Sequence, residues 1–316
     1  MATSTHRLKV GLVGPGRRSR FHLQRLCLRT DLLPVAVVAE VPGGEPVGES
    51  AGCREVADAG ELLSDEGIDL VLVTGTDLLR EDTVRRVIEL GRPVAVPSPV
   101  SEAELEWVSG TRAGARLLVL SNCLADDDFQ SALALVSSGR LGQPRTLSHS
   151  TWGFIGGDSI GAEEPGSGLP TSVLDRLEQL LMLAGIDPLS VSARHLAGAG
   201  RWQGIGITVR FPDGMTAGLE YHPSSPVPLA TGWVIAGSDT GYRDFELFTV
   251  TDDEEVYGTP LESPAIDLDR VYDDLLLQWD DLAHNTAVLK RAGCLLRLID
   301  AVGASLSRGS EVEVQA

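Results

Sequence analysis

"LKVGLVGPGRRS", residues 8–19, decides the fold of the first third of this chain. The apolar run LKVGLV is typical of a buried strand, and the helical spacing of RFHLQRLCLR begins directly after the glycine turn. Gly14, Gly16 and Ser19 occupy the three small-residue positions of a dinucleotide-binding turn, with serine in place of the third glycine. The first glycine allows the tight turn, and the second lets the backbone approach a pyrophosphate that the helix N-terminus attracts. The pattern therefore predicts dinucleotide binding.

A second group of residues bears on the choice of cofactor. Glu40 ends the apolar run LPVAVVAE, where an acidic side chain accepts the ribose hydroxyls of NAD and repels the additional phosphate of NADP. Arg17 and Arg18 would attract that phosphate, so NAD is predicted and NADP stays open. The other predicted cofactor contacts follow the third and fourth strands and are Thr74, Gly75, Thr76 and Pro97.

The distribution of strands and helices divides the chain in two. Up to residue 121, apolar strands alternate with helical segments, which is typical of a parallel sheet covered on both faces. From residue 122 onwards, a long amphipathic segment at 171–185 stands among strand-like runs broken by turns. We predict an α/β Rossmann domain over residues 1–121. An α+β substrate and oligomerisation domain with a mostly antiparallel sheet should follow over residues 122–316.

Charge and composition argue against several classes of protein. The 316 residues carry a formal net charge of −19, which disfavours binding to nucleic acid or to an anionic membrane. No stretch approaches the roughly 18 apolar residues of a membrane span, and the first residues lack the apolar run of a signal peptide, so we expect a cytoplasmic protein. The cysteines lack a paired metal-ligand spacing, and Asp126–Asp128 suit a solvated helix N-terminus; we predict no metal.

Several segments together resemble one enzyme family. In order along the chain they are KVGLVGPGRRSRFHLQRL, GELLSDEGIDLVLVTGT, VIELGRPVAVPSPVS, SSGRLGQPRTLSHSTW and the C-terminal LLRLIDAVGASLSRGSEVEV. They are similar to the glucose–fructose oxidoreductase / inositol dehydrogenase family (Gfo/Idh/MocA). The resemblance implies a Rossmann domain followed by a domain whose open sheet forms an oligomer interface. It also implies oxidation or reduction of a carbinol or ketone on a sugar-like small molecule with NAD or NADP.

The predicted catalytic positions depart from the family pattern. The family carries a Glu-Lys-Pro triplet after the fourth strand, whereas this chain has Ser98 between two prolines. A serine donates a hydrogen bond but lacks the ammonium charge that stabilises a developing oxyanion. Counting back from Gly185, the family's aspartate and histidine fall at Thr171 and Asp175, one helical turn apart. An ordinary aspartate serves as a base but is a poor acid at neutral pH.

Two further features complete the site and partner predictions. His222, in LEYHPSSP, follows a strand and is a catalytic candidate, with a surface histidine as the alternative. The segments GIGITVRF and MTAGLEYH alternate apolar and small or polar residues, and an uncovered apolar sheet face favours association. A homo- or hetero-oligomer through the C-terminal sheet is therefore predicted.

Three functions remain open at this point. The chain is an NAD-linked oxidoreductase with an altered catalytic site, or a catalytically silent partner or scaffold of an active enzyme. The third is a redox-neutral elimination or isomerisation with Asp175 as the base. Retention of the glycine turn favours the first two, whereas loss of both lysine and histidine weakens the first. The arginine-rich, lysine-poor composition is compatible with bacterial specialised metabolism.

Overall fold

The computed structural model describes the chain in ten segments: residues 7–14, 17–38, 52–74, 78–110, 115–154, 169–196, 204–225, 232–250, 255–262 and 267–315. By its contacts the chain forms two compact units. The first comprises Met1–Ser121 and Tyr272–Gly293, and the second comprises Asn122–Val271 and Cys294–Ala316. Residues 272–293 thus pack with the first unit, although the predicted domain limits 1–121 and 122–316 count them with the second. Those limits, taken as independently folding domains, stay a prediction.

The first unit is built on a six-stranded parallel sheet with the strand order β3-β2-β1-β4-β5-β6. All five strand pairings are parallel, which confirms the predicted α/β Rossmann class. The elements are β1 (Leu8–Val13), α1 (Arg17–Leu28), β2 (Leu32–Val38), β3 (Arg54–Val56), α2 (Ala59–Leu63), β4 (Leu70–Val73), α3 (Leu78–Glu89), β5 (Pro93–Pro97), α4 (Glu102–Ser109) and β6 (Arg116–Leu120).

The core of this unit explains why its strands are apolar throughout. All four residues of β4 are buried, because helices cover both faces of a parallel sheet. Val71, Val94 and Leu117, on neighbouring strands, have no exposed surface. The strand order reverses between β1 and β4. In open α/β sheets such a reversal leaves a crevice at the carboxyl ends of the two strands, and ligands bind there.

A glutamine from the C-terminal part of the chain closes the free edge of this sheet. Gln278 is fully buried and lies in α7 (Arg270–Asp280). Its Oε1 accepts from the Val119 N–H at 2.9 Å, and its Nε2 donates to the Val119 carbonyl at 2.8 Å. The amide therefore satisfies edge-strand groups that burial would otherwise leave unpaired. These two hydrogen bonds of Gln278, together with the buried side chain of Val288, account for the packing of residues 272–293 in the first unit.

The second unit contains a nine-stranded sheet with the order β14-β13-β12-β11-β7-β10-β9-β8-β15. Of the described pairings only β7 with β10 is parallel, which confirms the mostly antiparallel α+β prediction. Its elements are α5 (Asp127–Ser137), β7 (Pro144–Phe154), α6 (Thr171–Ala184), β8 (Ser190–Leu196), β9 (Gly204–Arg210), β10 (Thr216–Ser225), β11 (Val234–Gly237), β12 (Thr240–Arg243), β13 (Glu246–Val250), β14 (Val256–Pro260), the part of α8 (Leu282–Arg308) that follows residue 293, and β15 (Val312–Glu313).

The burial of one face of this sheet contradicts a premise of the oligomer prediction. The apolar residues of β9 and β10, including Ile207 and Leu219, are buried rather than uncovered. The opposite face of these strands presents Gly206, Thr208, Gly218 and Glu220 together with Ser192 and Arg194 of β8, and these residues line a shallow depression. Alternation along a strand sends successive side chains to opposite faces, so the solvent-facing side is small and polar. Association through it therefore cannot rest on an exposed apolar patch.

None of the helices in the described part of the chain has the length and apolar character needed to cross a membrane.

Candidate functional site

The glycine turn is fixed by a pair of buried hydroxyl groups. Gly14 follows β1 with φ +144°, a conformation that residues with a side chain rarely adopt. Ser19 Oγ donates to the Gly14 carbonyl at 2.5 Å and lies 2.6 Å from Thr74 Oγ1. The Thr74 N–H in turn donates to the Val13 carbonyl at 2.8 Å. Serine at the third small-residue position thus ties the turn to the end of β4, a contact that glycine could not make.

Several predicted cofactor residues lie in segments that the structure does not describe. Gly16, Glu40, Gly75 and Thr76 lie outside the described residues. Arg17 and Arg18 begin α1, but their side chains also lie outside the described part. Their roles stay predictions from the sequence.

Ser98 follows β5 at the edge of the sheet where the glycine turn lies. Its N–H donates to the Leu120 carbonyl at 3.0 Å, which continues the pairing of β5 with β6. Pro97 is buried, Ser98 is half-buried, and the Ser98–Pro99 peptide bond is cis. Because β4 and β5 are parallel neighbours, Thr74 and Ser98 follow adjacent strands at one edge. Ser98 thus lies at the carboxyl end of β5, and its role in a site stays a prediction.

A buried ion pair holds the turn around Ser98. The Arg80 guanidinium donates from Nε to Glu104 Oε1 and from Nη2 to Glu104 Oε2, both at 2.8 Å. The same Nη2 donates to the Pro99 carbonyl at 3.1 Å. Glu104 has no exposed side-chain surface and also accepts from the Ser101 N–H at 2.8 Å. A bidentate pair of this kind is rigid, so it fixes the backbone that carries Ser98.

The other predicted catalytic residues belong to the second unit. Thr171 and Asp175 lie in the first turns of α6, both half-buried and four residues apart, which places them on one helical face. His222, in β10, stacks on Trp152 of β7 with ring centroids 3.9 Å apart, and its Nε2 lies 3.3 Å from Glu220 Oε2. The prediction that Ser98 and Asp175 share one cavity concerns residues of two different units and stays a prediction.

The second unit contains a polar cluster that the sequence reasoning missed. Asp126 caps α5 through the Phe129 N–H, and its Oδ2 accepts from Arg176 Nη1 at 2.6 Å. Arg176 Nη1 also donates to Gln179 Oε1 at 2.5 Å. The Trp233 indole Nε1 donates to the same oxygen at 2.9 Å. Burial opposes ionisation of Asp126, but Arg176 and the Phe129 N–H hold the pKa of this carboxyl below its ordinary value.

A second carboxylate completes the cluster. Asp128 accepts from the Trp233 backbone N–H at 2.5 Å and from the Tyr242 hydroxyl at 2.6 Å. Burial raises the pKa of Asp128 although these hydrogen bonds oppose the change, and the negative charge of Asp126 adds to the increase. Gly232 lies so close that a Cβ there would be 2.7 Å from Asp128 Oδ1. Glycine therefore lets the backbone reach the carboxylate.

His149 is the histidine of the cluster, and its pKa is strongly lowered. It has 6% exposed surface, packs edge-to-face on Trp233 at 5.2 Å, and its Nδ1 lies 3.3 Å from Thr151 Oγ1. Burial, reinforced by the charge of Arg176, lowers the pKa of His149 to about 3. The ring is therefore neutral at physiological pH.

These residues surround a cavity of about 410 Å³, within the range of small-molecule sites. Its lining comprises Asp126, Asp128, His149, Ser150, Thr151, Trp152, Arg176, Gly232, Asp244 and Phe245. One feature of the sequence indicates this cavity, the run of three aspartates at 126–128. We interpreted that run as solvated, but Asp126 and Asp128 are both bonded within the protein. Sequence spacing could not find the cluster because its members come from five separate stretches of the chain. No group of three or more residues suited to a metal ion occurs among the described residues.

Known proteins share this two-domain architecture. An NAD-binding protein from Listeria innocua superimposes with a TM-score of 0.79 at 20% identity, covering 97% of both chains. A scyllo-inositol dehydrogenase from Lactobacillus casei with bound NAD(H) and scyllo-inositol gives 0.72 at 15% identity, covering 98% of this chain and all of that one. The chain has the Gfo/Idh/MocA fold.

Sequence similarity points in the same direction over a shorter span. The chain is 30% identical over 107 residues to an inositol 2-dehydrogenase of Arthrobacter sp. (strain FB24). That match covers 33% of this chain and 32% of the enzyme, so the chain matches about a third of the length of this curated relative. No protein-family model matches the chain. The partial sequence match and the shared fold together confirm the resemblance to the Gfo/Idh/MocA family.

Proposed function

We propose that this protein is an NAD-dependent oxidoreductase that acts on a carbinol or ketone of a sugar-like small molecule. The observation that carries the proposal is the turn at Gly14, tied by Ser19 to Thr74 at the switch point of a Rossmann sheet. The φ of +144° at Gly14 allows the tight turn between β1 and α1 that this kind of cofactor site requires. The scyllo-inositol dehydrogenase of this fold, which binds NAD(H), adds support.

The residues of the turn define how NAD would be held. The start of α1 provides free N–H groups and a positive dipole end for the pyrophosphate. Glu40 would accept the ribose hydroxyls and so favour NAD over NADP, while Arg17 and Arg18 would keep NADP possible. The nicotinamide ring accepts or supplies a hydride when bound. Ser19 and Thr74 hold the turn in place and need not touch the cofactor.

The proposed chemistry of this chain rests on Ser98 and Asp175. The Ser98 hydroxyl, on the backbone segment that Arg80 and Glu104 hold, would donate a hydrogen bond to the substrate oxygen at the carbon that loses or gains hydride. Asp175 would take the hydroxyl proton, with Thr171 and His222 as neighbouring polar groups on the substrate side. Lacking the ammonium and the imidazole at the positions where the family carries them, such a site would turn over slowly, because losing one oxyanion donor costs roughly 10²–10³ in rate.

Two other functions use the same residues differently. A catalytically silent partner of an active enzyme would keep the glycine turn but show no turnover by itself. A redox-neutral elimination or isomerisation would use Asp175 as the base without net change of the nicotinamide. The altered positions Ser98 and Asp175 are the reason for retaining both alternatives.

The proposed cofactor is tested by titration calorimetry of the pure protein with NAD(H) and NADP(H). We expect NAD(H) to bind more tightly than NADP(H), because Glu40 would repel the 2′-phosphate. Absence of binding by either nucleotide at millimolar concentration would contradict the proposal. Turnover is then followed at 340 nm with myo-inositol and NAD, where we expect a slow rate that Asp175→Asn abolishes. Cofactor binding without any turnover would favour the silent partner.

We also propose that the polar face of the second-unit sheet associates with a second copy of the chain. Small residues such as Gly206 and Gly218 let two backbones approach, and Arg194 and Glu220 provide opposite charges on one face. Light scattering at micromolar concentration should give a dimer or larger species. Gly218→Gln should reduce it to a monomer, because open space surrounds Gly218 and the new side chain would block the interface without disturbing the fold. Gly303→Gln, also in open space but on α8, is the control. A wild-type monomer would contradict this proposal.

A further inference from the structure

The cavity of the second unit has polar groups that the protein itself leaves without partners. Arg176 uses Nη1 for its bonds to Asp126 and Gln179, whereas its buried Nε has no hydrogen-bond partner among the described residues. His149, 6% exposed, bonds to Thr151 through one ring nitrogen, and within the described structure the other ring nitrogen has no protein partner. A buried donor without a partner, as Arg176 Nε is, carries a desolvation cost, whereas the unbonded His149 ring nitrogen is accessible and can bond to a ligand in the cavity.

The charges of the lining select the kind of ligand. Three carboxylates, Asp126, Asp128 and Asp244, face one guanidinium, and that guanidinium is already paired with Asp126. Arg243 approaches Asp244 at 3.5 Å, but both side chains are more than half exposed, at 59% and 63%, so water screens this pair. The cavity therefore keeps an excess of negative charge, which favours a cation and disfavours an anion.

The same lining argues for an organic cation with hydroxyl groups. No metal-binding group of three residues exists among the described residues, and the Asp128 oxygens are already bonded to Trp233 and Tyr242. Each of those oxygens still has a lone pair for an ammonium donor. Trp152 and Phe245 supply apolar ring surface for carbon atoms and for cation–π contact.

We propose that this cavity binds a small polyhydroxylated amine, such as an amino sugar or aminocyclitol. Its ammonium group would face Asp128 and Asp244, and its hydroxyl groups would bond to Arg176 and His149. All of these residues belong to the second unit, so the inference does not depend on the cofactor turn of the proposed oxidoreductase.

The test compares three probes that differ at one or two positions of the same sugar. Glucosamine, glucose and glucuronate are titrated against the ¹⁵N-labelled full chain without any nicotinamide nucleotide, and the tryptophan indole N–H signals are followed by NMR. We expect glucosamine to bind at millimolar concentration and about tenfold more tightly than glucose, with no binding of glucuronate. Because nucleotide is absent, this result is independent of whether NAD binds.

A matched pair of variants locates the site. Asp244 lies at the rim with φ +49°, a conformation that asparagine tolerates, so Asp244→Asn removes one charge without loss of the fold. Because Asp244 is 63% exposed, the substitution should weaken glucosamine binding by about threefold. Asp187→Asn removes the same charge from an exposed position outside the cavity and should leave binding unchanged. Equal affinity for glucose and glucosamine, preference for glucuronate, equal effects of both variants, or no binding at all would overturn the proposal.

Discussion

Replacing Gly14 by alanine is expected to weaken NAD binding by at least about tenfold, which corresponds to ~1.4 kcal/mol. Gly14 has φ +144°, where a Cβ costs roughly 1–3 kcal/mol. The carbonyl of Gly14 is bonded to the buried Ser19 hydroxyl, so the turn cannot relax without breaking that bond and its contact with Thr74. Calorimetric titration of wild type and Gly14→Ala with NAD measures the change.

The control for this prediction is a second glycine with positive φ. Gly139 ends the α5 region at φ +71°, in the second unit and with open space around it. Gly139→Ala carries a similar backbone strain, so it should lower thermal stability while NAD affinity stays the same. An unchanged dissociation constant in Gly14→Ala would show that the turn does not hold the cofactor.

The His149 side chain is expected to make the protein sensitive to mild acid. Its pKa in the folded chain is about 3, against an ordinary value of 6.5. Between pH 6.5 and pH 3, His149 is protonated in the unfolded chain but stays neutral in the folded chain. The free energy of unfolding is therefore unaffected by this group above pH 6.5 and decreases as the pH falls below it. From about pH 6 to about pH 4.5, this one group should lower the free energy of unfolding by about 2 kcal/mol.

Urea denaturation at several pH values checks this loss. His149→Gln keeps a neutral hydrogen-bonding side chain that does not titrate, so its stability should decline less with acid than that of the wild type. The difference between the two curves isolates His149 from the carboxylates, which both proteins share. His195→Gln, at an exposed position of β8, should follow the wild-type curve. Parallel curves for wild type and His149→Gln would refute the prediction.

The sequence predicted local features well because their physics is local. The alternation of LKVGLV, LPVAVVAE and DLVLVTG with helices was sufficient for the parallel sheet, since buried strands must be apolar on both faces. Three residues were sufficient to predict the glycine turn. The position of Ser98 after an apolar strand was sufficient to predict that it lies at the carboxyl edge of the sheet. The sequence also predicted the helix with Thr171 and Asp175, because helical periodicity places residues four apart on one face.

The tertiary structure decided what depends on contacts between distant residues. Residues 272–293 join the first unit because Gln278 bonds to Val119, a pairing that no local pattern indicates. The apolar alternation of β9 and β10 is compatible with an exposed or a buried face, and only packing buried it. Asp126 and Arg176 likewise meet from separate helices. By itself the sequence determined the main strands, helices and turns, since these follow from short-range spacing. Burial, charge pairing and the cavity required the folded chain, because the desolvation that sets them comes from neighbours far apart in sequence.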